Sequence, residues 1–97
     1  MRVLVVDDVA VIRKSMAKTL EPYCDAVAVE SNGETALRWL ENHYADICIT
    51  DIKMPVMDGL KLIEKINCNY PWMATIVASS YDEFEYAKQS IRLNALD

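Results

Sequence analysis

Short apolar runs alternate with longer amphipathic segments along the whole chain. Four of the runs predict β-strands, and they cover Arg2–Val6, Ala26–Val29, Ile47–Thr50 and Ala74–Ala78. The first run is apolar at every position after Arg2, as is typical of a strand buried on both faces of a parallel sheet. The pattern therefore predicts a sheet that is covered on both sides.

The segments between these runs have the spacing of amphipathic helices. Helices are predicted from about Val9 to Leu20, from Gly33 to about Asn42, from Gly59 to the break at Asn69-Tyr70-Pro71, and from about Asp82 onward. In the first helix Ile12, Met16 and Leu20 recur at steps of four and predict its buried stripe. The regular alternation of strand and helix implies parallel strands joined by right-handed crossovers, which is an α/β doubly wound sheet.

Acidic residues follow two of the predicted strands at the point where each strand ends. Asp7 and Asp8 follow the first strand, and Asp51 follows the third. Ligands of open α/β sheets bind beyond the carboxyl ends of the strands, so three carboxylates are expected to converge there. Two of them about 5 Å apart repel by roughly 3 kcal/mol. Such a group protonates, spreads apart or binds a cation, and all-oxygen donors suit Mg²⁺. Alternatively, Asp7 only caps the first helix.

Composition narrows the class of protein. Ninety-seven residues, 53% of them hydrophobic, suit one small domain, and a net charge of -5 disfavours direct binding of nucleic acid. No apolar run is long enough for a membrane span, and the start shows no signal peptide. Cys24, Cys48 and Cys68 have no metal-site or disulfide spacing, which predicts reduced thiols in a cytoplasmic protein, with Cys48 in the core.

The chain has only two glycines, Gly33 and Gly59. Neither the G-x-G-x-x-G fingerprint nor the Walker phosphate loop can be built from them. Any phosphate chemistry must therefore depend on side chains and a metal ion.

The motifs at the strand ends closely resemble those of the receiver domain of bacterial two-component response regulators. The matching residues are Asp7-Asp8 after the first strand, Thr50-Asp51-Ile52-Lys53-Met54-Pro55 with Met57-Asp58-Gly59 after the third, and Ser79 after the fourth. The segment Ser79–Lys88 is similar to regulators whose output is an AraC-type DNA-binding domain. The resemblance covers essentially every residue of the chain.

The resemblance implies a role for each of five residues. Asp51 would accept a phosphoryl group from a phosphohistidine on a sensor histidine kinase. Asp8 would ligate Mg²⁺ directly, with Mn²⁺ as a substitute, and Asp7 would act mainly through water. Lys53 would offer its main-chain carbonyl to the metal. Ser79 would donate its hydroxyl to the phosphoryl group. The protein would be a signalling receiver that acts on its own aspartate, not an enzyme with a separate substrate.

The family fold implied is the flavodoxin-like doubly wound parallel sheet with strand order 2-1-3-4-5. This sequence stops before the fifth strand, its lysine and the fifth helix, so we expect residues 1–97 to be a receiver domain that is incomplete at its C-terminus. An output domain, transcriptional in kind, is expected elsewhere. The strand Ala74–Ala78 would then be an open edge, which predicts self-association.

Two other functions are compatible with parts of the pattern. A haloacid dehalogenase-like hydrolase also uses an aspartate at a strand end with Mg²⁺, but it needs a second aspartate two residues later, where Lys53 stands. A receiver-like scaffold would keep the fold and bind partners without being phosphorylated. The complete acid set argues against this scaffold, while the missing lysine argues for it.

Overall fold

A computed structural model describes residues 1–78 together with Glu85 and Lys88. The elements are, in chain order, β1 (Arg2–Val6), α1 (Ala10–Leu20), a one-turn 3-10 helix (Glu21–Tyr23), β2 (Ala26–Glu30), α2 (Gly33–Leu40), β3 (Ile47–Thr50), α3 (Gly59–Asn69) and β4 (Ala74–Val77). The predicted strands and the first three helices are confirmed, with ends that differ by at most two residues. The helix predicted near Asp82 lies outside the described residues. Within them, no helix combines the length and the apolar character that crossing a bilayer requires.

The four described strands form one parallel sheet in the order β2-β1-β3-β4, which confirms the predicted doubly wound order 2-1-3-4. Val6, the last residue of β1, is the register partner of both Glu30 and Thr50. The three strands β1, β2 and β3 therefore end at the same level, and the loops that follow β1 and β3 begin side by side.

The two faces of β1 belong to two separate hydrophobic clusters. Val3 and Val5 pack on one face in the cluster that contains Met16 and Leu20 of α1. Leu4 and Val6 point to the other face, in the cluster that contains buried residues of α2 and α3. All four β1 side chains are at most 1% exposed. This two-sided burial makes β1 a rigid support for the acidic residues at its end.

The predicted buried stripe of α1 is wrong at Ile12. Met16 and Leu20 are buried, but Ile12 is 45% exposed. A step of four residues turns an α-helix by about 400°, so a stripe with this spacing rotates by about 40° at each step. Over the two steps from Leu20 back to Ile12 the rotation reaches about 80°, and Ile12 leaves the face that contacts the sheet.

Asp46 links the amino ends of the strands, a role that no pattern in the sequence indicates. Its carboxylate accepts hydrogen bonds from the Arg2 main-chain N–H (2.7 Å) and from the Tyr44 hydroxyl (2.9 Å). Its own N–H donates to the Arg2 carbonyl, and its carbonyl accepts from Ala74 N–H. The bond from Arg2, followed by that from Tyr44, lowers the pKa of Asp46. One residue thereby links β1, β3 and β4.

Asp46→Ala is expected to lower the free energy of unfolding by about 1–2 kcal/mol at neutral pH, because two bonds to a charged acceptor are lost. Since folding lowers the pKa of Asp46, its contribution is present above the unfolded value and is lost as pH falls through the folded value. The difference between parent and variant in urea melts should therefore shrink below about pH 4. Tyr44→Phe, which removes one bond only, should lose less. An effect of Asp46→Ala that does not change with pH would contradict this account.

Candidate functional site

The structure brings together the three acids that follow β1 and β3. Val6 and Thr50 are register partners, so Asp7 and Asp8 lie beside Asp51. One carboxylate oxygen from each aspartate lies within 4.8 Å of those of the other two. Asp7 is buried, Asp51 is half-buried and Asp8 is exposed. The cluster is thus open to solvent on one side and closed on the other.

Asp7 is the buried member, only 3% exposed. Its N–H donates to the Glu30 carbonyl, and its Oδ1 accepts from Val9 N–H at 2.9 Å. Burial raises the pKa of Asp7, the bond from Val9 opposes this rise, and the Asp51 and Asp8 carboxylates add to it. The N-cap residue of α1 is Val9, which makes no side-chain cap bond. Asp7 therefore closes the turn before α1 and lies in the acidic cluster, but it does not cap the helix, so the capping alternative is wrong.

Asp51 is held by its own strand end. Its N–H donates to the Val6 carbonyl at 3.2 Å, and its Oδ1 accepts from the next N–H, that of Ile52, at 2.7 Å. The Thr50 hydroxyl donates to the Asp51 carbonyl at 2.9 Å. These bonds fix the main chain and one carboxylate oxygen. The second oxygen, Oδ2, takes no part in the Ile52 bond, and Asp51 is half-exposed.

The loop after Asp51 returns to it at Gly59. The Gly59 N–H donates to the Ile52 carbonyl at 2.7 Å. A Cβ atom placed on Gly59 would lie 1.9 Å from the Asp51 carbonyl oxygen. Asp58 caps α3 by accepting from Lys61 N–H at 2.8 Å. The Asp58-Gly59 pair therefore sets both the start of α3 and the position of the Asp51 main chain.

The same loop contains a strained turn at Val56. Val56 has a φ of 72°, and Met57 N–H donates to the Pro55 carbonyl at 2.8 Å, which closes a three-residue turn. A β-branched residue in such a conformation costs about 1–3 kcal/mol and persists only where its surroundings hold it. The Val56 side chain is 75% exposed, so side-chain burial does not account for the turn.

The other predicted site residues have different outcomes. Lys53 lies in the loop two residues beyond Asp51, with its side chain exposed. Ser79 lies outside the described residues. One contact was not foreseen: Arg13 Nη1 donates to the Asp7 carbonyl at 2.7 Å. A separation of six residues is no recognised spacing, so only the folded turn reveals it. The roles of all these residues remain predictions.

The donor set of the cluster fits a hard divalent cation. Two unit charges 4.8 Å apart repel by about 3 kcal/mol at an effective dielectric constant of about 20. Three carboxylates offer only oxygen, and the exposed Asp8 and half-exposed Asp51 leave room for a hydrated ion. Mg²⁺ prefers such ligands and keeps several of its waters. The donor set is therefore of the kind that binds a hydrated divalent cation.

Comparisons with known proteins identify one family for this sequence and fold. The profile of the response regulator receiver domain matches residues 3–97. The uncharacterized transcriptional regulatory protein YesN of Bacillus subtilis (strain 168) is 36% identical in an alignment of 94 positions that covers 94% of this chain and 26% of that protein. Protein-glutamate methylesterase/protein-glutamine glutaminase 2 of Caulobacter vibrioides is 38% identical in an alignment of 98 positions that covers 100% of this chain and 27% of that protein.

A solved structure is similar over most of the chain. It is a two-component transcriptional regulator AraC from Clostridium phytofermentans ISDg, with a TM-score of 0.75 and 29% identity, covering 89% of this chain and 72% of that one. The present chain spans about a quarter of the length of the two curated relatives. The strand order, the strand-end aspartates and the profile match over residues 3–97 lead to one family. The chain belongs to the receiver domains of two-component response regulators, a family in which a kinase phosphorylates an aspartate.

Proposed function

We propose that Asp51 is the phosphoacceptor of this receiver and that Asp8 and Asp51 ligate Mg²⁺, with Asp7 acting through water and Lys53 through its main-chain carbonyl. The observation that carries the proposal is the convergence of three carboxylate oxygens within 4.8 Å at the ends of β1 and β3. Asp51 alone among them follows β3, and like Asp7 it has one oxygen held by a main-chain N–H. Unlike the buried Asp7 it is half-exposed, so it combines an oriented carboxylate with access for a phosphodonor, which suits a nucleophile.

The reaction proposed is transfer of a phosphoryl group from a phosphohistidine of a sensor kinase. Asp51 Oδ2 attacks phosphorus, a P–O bond forms, and the P–N bond to the histidine breaks, leaving the imidazole with its electron pair. Ile52 N–H holds Oδ1 while Oδ2 reacts. A bound Mg²⁺ would neutralise charge on the carboxylates and on the incoming phosphoryl group. Ser79 is assigned the hydroxyl that binds the phosphoryl oxygen, by resemblance.

The acceptor assignment predicts that Asp51→Asn takes up no phosphoryl group. The parent, incubated with Mg²⁺ and a small phosphodonor such as acetyl phosphate, should yield an acid-stable, base-labile acyl phosphate. Intact mass and peptide mapping measure it. Asp25→Asn is the matched control, since Asp25 is an exposed aspartate before β2, at the amino ends of the strands. Label that persists in Asp51→Asn would mean that another residue is the acceptor.

The metal assignment predicts that Asp8→Ala loses most of the Mn²⁺ affinity of the parent. Asp8 is the exposed ligand, so its replacement leaves the buried contacts of the turn in place. Affinity should weaken as the acids protonate, because the metal competes with protons for the carboxylates. Titration of Mn²⁺ by electron paramagnetic resonance measures both effects at several pH values. Equal affinities of parent and variant would remove Asp8 from the site.

A phosphate analogue distinguishes the phosphorylated receiver from the scaffold alternative. Beryllium fluoride with Mg²⁺ should change the amide spectrum of the receiver around Asp51 if the pocket accepts a phosphoryl group. A pure scaffold should show no Mg²⁺-dependent change. The open, all-carboxylate pocket favours the phosphorylated receiver, because a partly buried cluster of like charges has no evident structural benefit.

The partners proposed follow from the family. A sensor histidine kinase would supply the phosphoryl group in the cytoplasm, and an output domain would respond. An AraC-type DNA-binding output is favoured by the structural neighbour, which is a two-component regulator AraC. A methylesterase among the relatives marks enzymatic output as the other possibility. The receiver itself would act on its own aspartate only. Self-association through β4, an edge of the described sheet, remains a prediction.

A further inference from the structure

Arg13 occupies an unexpected position for a cation. It is the fourth residue of α1, close to the positive end of the helix dipole, and its guanidinium reaches the turn that carries Asp7 and Asp8. The dipole and a divalent cation in the proposed site would repel it, whereas the three carboxylates of the cluster attract it. The charge effects therefore oppose one another, and the specific benefit of an arginine here must come from its contacts.

The benefit is visible in the hydrogen bonds of the β1–α1 turn. Arg13 Nη1 donates to the Asp7 carbonyl at 2.7 Å, a short charge-assisted bond. Arg13 N–H also donates to the Val9 carbonyl at 2.9 Å. The side chain and main chain of one residue thus hold carbonyls on both sides of Asp8. Val9, as N-cap, contributes no side-chain bond to this turn.

The held carbonyl belongs to the peptide plane that joins Asp7 to Asp8. Asp7 is also fixed through Asp7 N–H to Glu30 and through Oδ1 to Val9. Asp8 is exposed, so packing does little to orient its carboxylate. The direction in which Asp8 leaves the main chain therefore depends on the plane of this peptide bond, and Arg13 fixes that plane.

We infer that Arg13 is a positioning residue that sets the affinity of the acidic cluster for a divalent cation by fixing the Asp7–Asp8 peptide. The inference rests on the proposed metal site. Loss of a partner that orients a ligand from outside the ligand set typically lowers metal affinity by about 10–100-fold. Simple electrostatics predicts the opposite sign, because removing a positive charge near a cation site strengthens binding. The two effects are therefore distinguished by direction.

The experiment measures Mn²⁺ affinity of the metal-free chain at neutral pH for four proteins: the parent, Arg13→Gln, Arg13→Lys and Lys14→Gln. Lys14 is the exposed neighbour on α1, so Lys14→Gln makes the same charge change without touching the turn. Arg13→Gln is expected to bind Mn²⁺ about tenfold more weakly. Lys14→Gln should bind as tightly as the parent or slightly more tightly. Arg13→Lys keeps the charge, so any loss of affinity in it is due to geometry.

The outcomes separate this inference from the proposed function. If the parent binds Mn²⁺ and Arg13→Gln binds it equally or more tightly, the positioning role is overturned and the metal site stands. If the parent does not bind Mn²⁺, both proposals fail. Thermal melts establish that each variant is folded at the temperature of the titration. Should Arg13→Gln be unfolded there, Arg13→Lys decides alone: several-fold weaker binding supports the role of the guanidinium, and parental affinity overturns it.

Discussion

Gly59→Ala is expected to lower the free energy of unfolding by about 3 kcal/mol and to reduce phosphoryl uptake at Asp51. The added Cβ would lie 1.9 Å from the Asp51 carbonyl oxygen, 2.8 Å from its carbonyl carbon and 3.0 Å from Ile52 Cα. All three are main-chain atoms, so no side-chain rotation relieves the contact. Either α3 or the end of β3 must move, and the Gly59–Ile52 hydrogen bond breaks with it.

Gly33→Ala is the matched control for this prediction. Gly33 and Gly59 are each the first residue of a helix, and neither has a positive φ. The three atoms nearest to a Cβ on Gly33 would all belong to the Met57 side chain, with Sδ at 2.9 Å, Cγ at 3.0 Å and Cβ at 3.1 Å. Rotation of the flexible methionine moves Sδ and Cγ away, and its Cβ needs only a shift of a few tenths of an ångström. Urea unfolding should therefore show a change below about 1 kcal/mol for Gly33→Ala. Similar losses in the two variants would show that helix-start flexibility, not the contact with Asp51, explains Gly59.

The sheet and the acidic cluster could be predicted because they depend on simple repeated patterns. The predicted and the observed bounds of β3 are both Ile47–Thr50. They agree because an apolar run between polar loops leaves little choice of register. Parallel strands end at a common edge, so the convergence of Asp7 and Asp51 follows from topology alone. No side-chain conformation had to be known for either result.

Features that depend on the three-dimensional path of loops were not predicted. The steps of four in α1 favoured burial of Ile12, whereas the helix rotates that residue outward and leaves it 45% exposed. The Arg13 bond to Asp7 needs a particular side-chain conformation across a turn. The hydrogen bond from Arg2 N–H to the Asp46 carboxylate joins residues 44 positions apart. Local sequence carries no signal for contacts of these kinds.

Gly59 shows where motif and physics differ. The Asp58-Gly59 pair marks a helix start in the sequence, and Asp58 does cap α3. Glycine is needed because a Cβ at this position would lie 1.9 Å from the Asp51 carbonyl oxygen. This close approach exists only after the loop has folded back on β3. Resemblance to a family motif can therefore identify such a residue before its physical role is known.

Asp7→Asn is expected to stabilise the metal-free protein by about 1–2 kcal/mol at neutral pH while weakening its affinity for Mn²⁺. Asn is nearly isosteric and keeps an oxygen for the Val9 N–H bond. It removes the buried charge, and its amide can donate toward the carboxylates of Asp8 and Asp51, which lie within 4.8 Å. The repulsion that the parent retains in the absence of metal is thereby relieved.

The direction in which folding shifts the pKa of Asp7 determines how the effect of Asp7→Asn changes with pH. Folding raises the pKa of Asp7, mainly through burial, so the folded state prefers the protonated acid. The associated stability is present below the unfolded pKa of about 4 and is lost as pH rises through the folded value. The advantage of Asp7→Asn over the parent in urea melts should therefore be absent below about pH 4 and grow toward neutrality. Glu64→Gln, an exposed change of the same charge on α3, should show no such trend.

Saturating Mg²⁺ should reverse the order of stability at neutral pH. A ligand that binds the folded state stabilises it by an amount that grows with the ratio of its concentration to its dissociation constant. The parent, with all three carboxylates, gains more from the ion than Asp7→Asn does, because the buried charge that destabilises the metal-free state attracts the cation. Thermal melts of both proteins with and without Mg²⁺ measure this reversal in the order of stability. An Asp7→Asn protein that is less stable than the parent without metal, or that gains equally from Mg²⁺, would show that Asp7 serves the turn and not the ion.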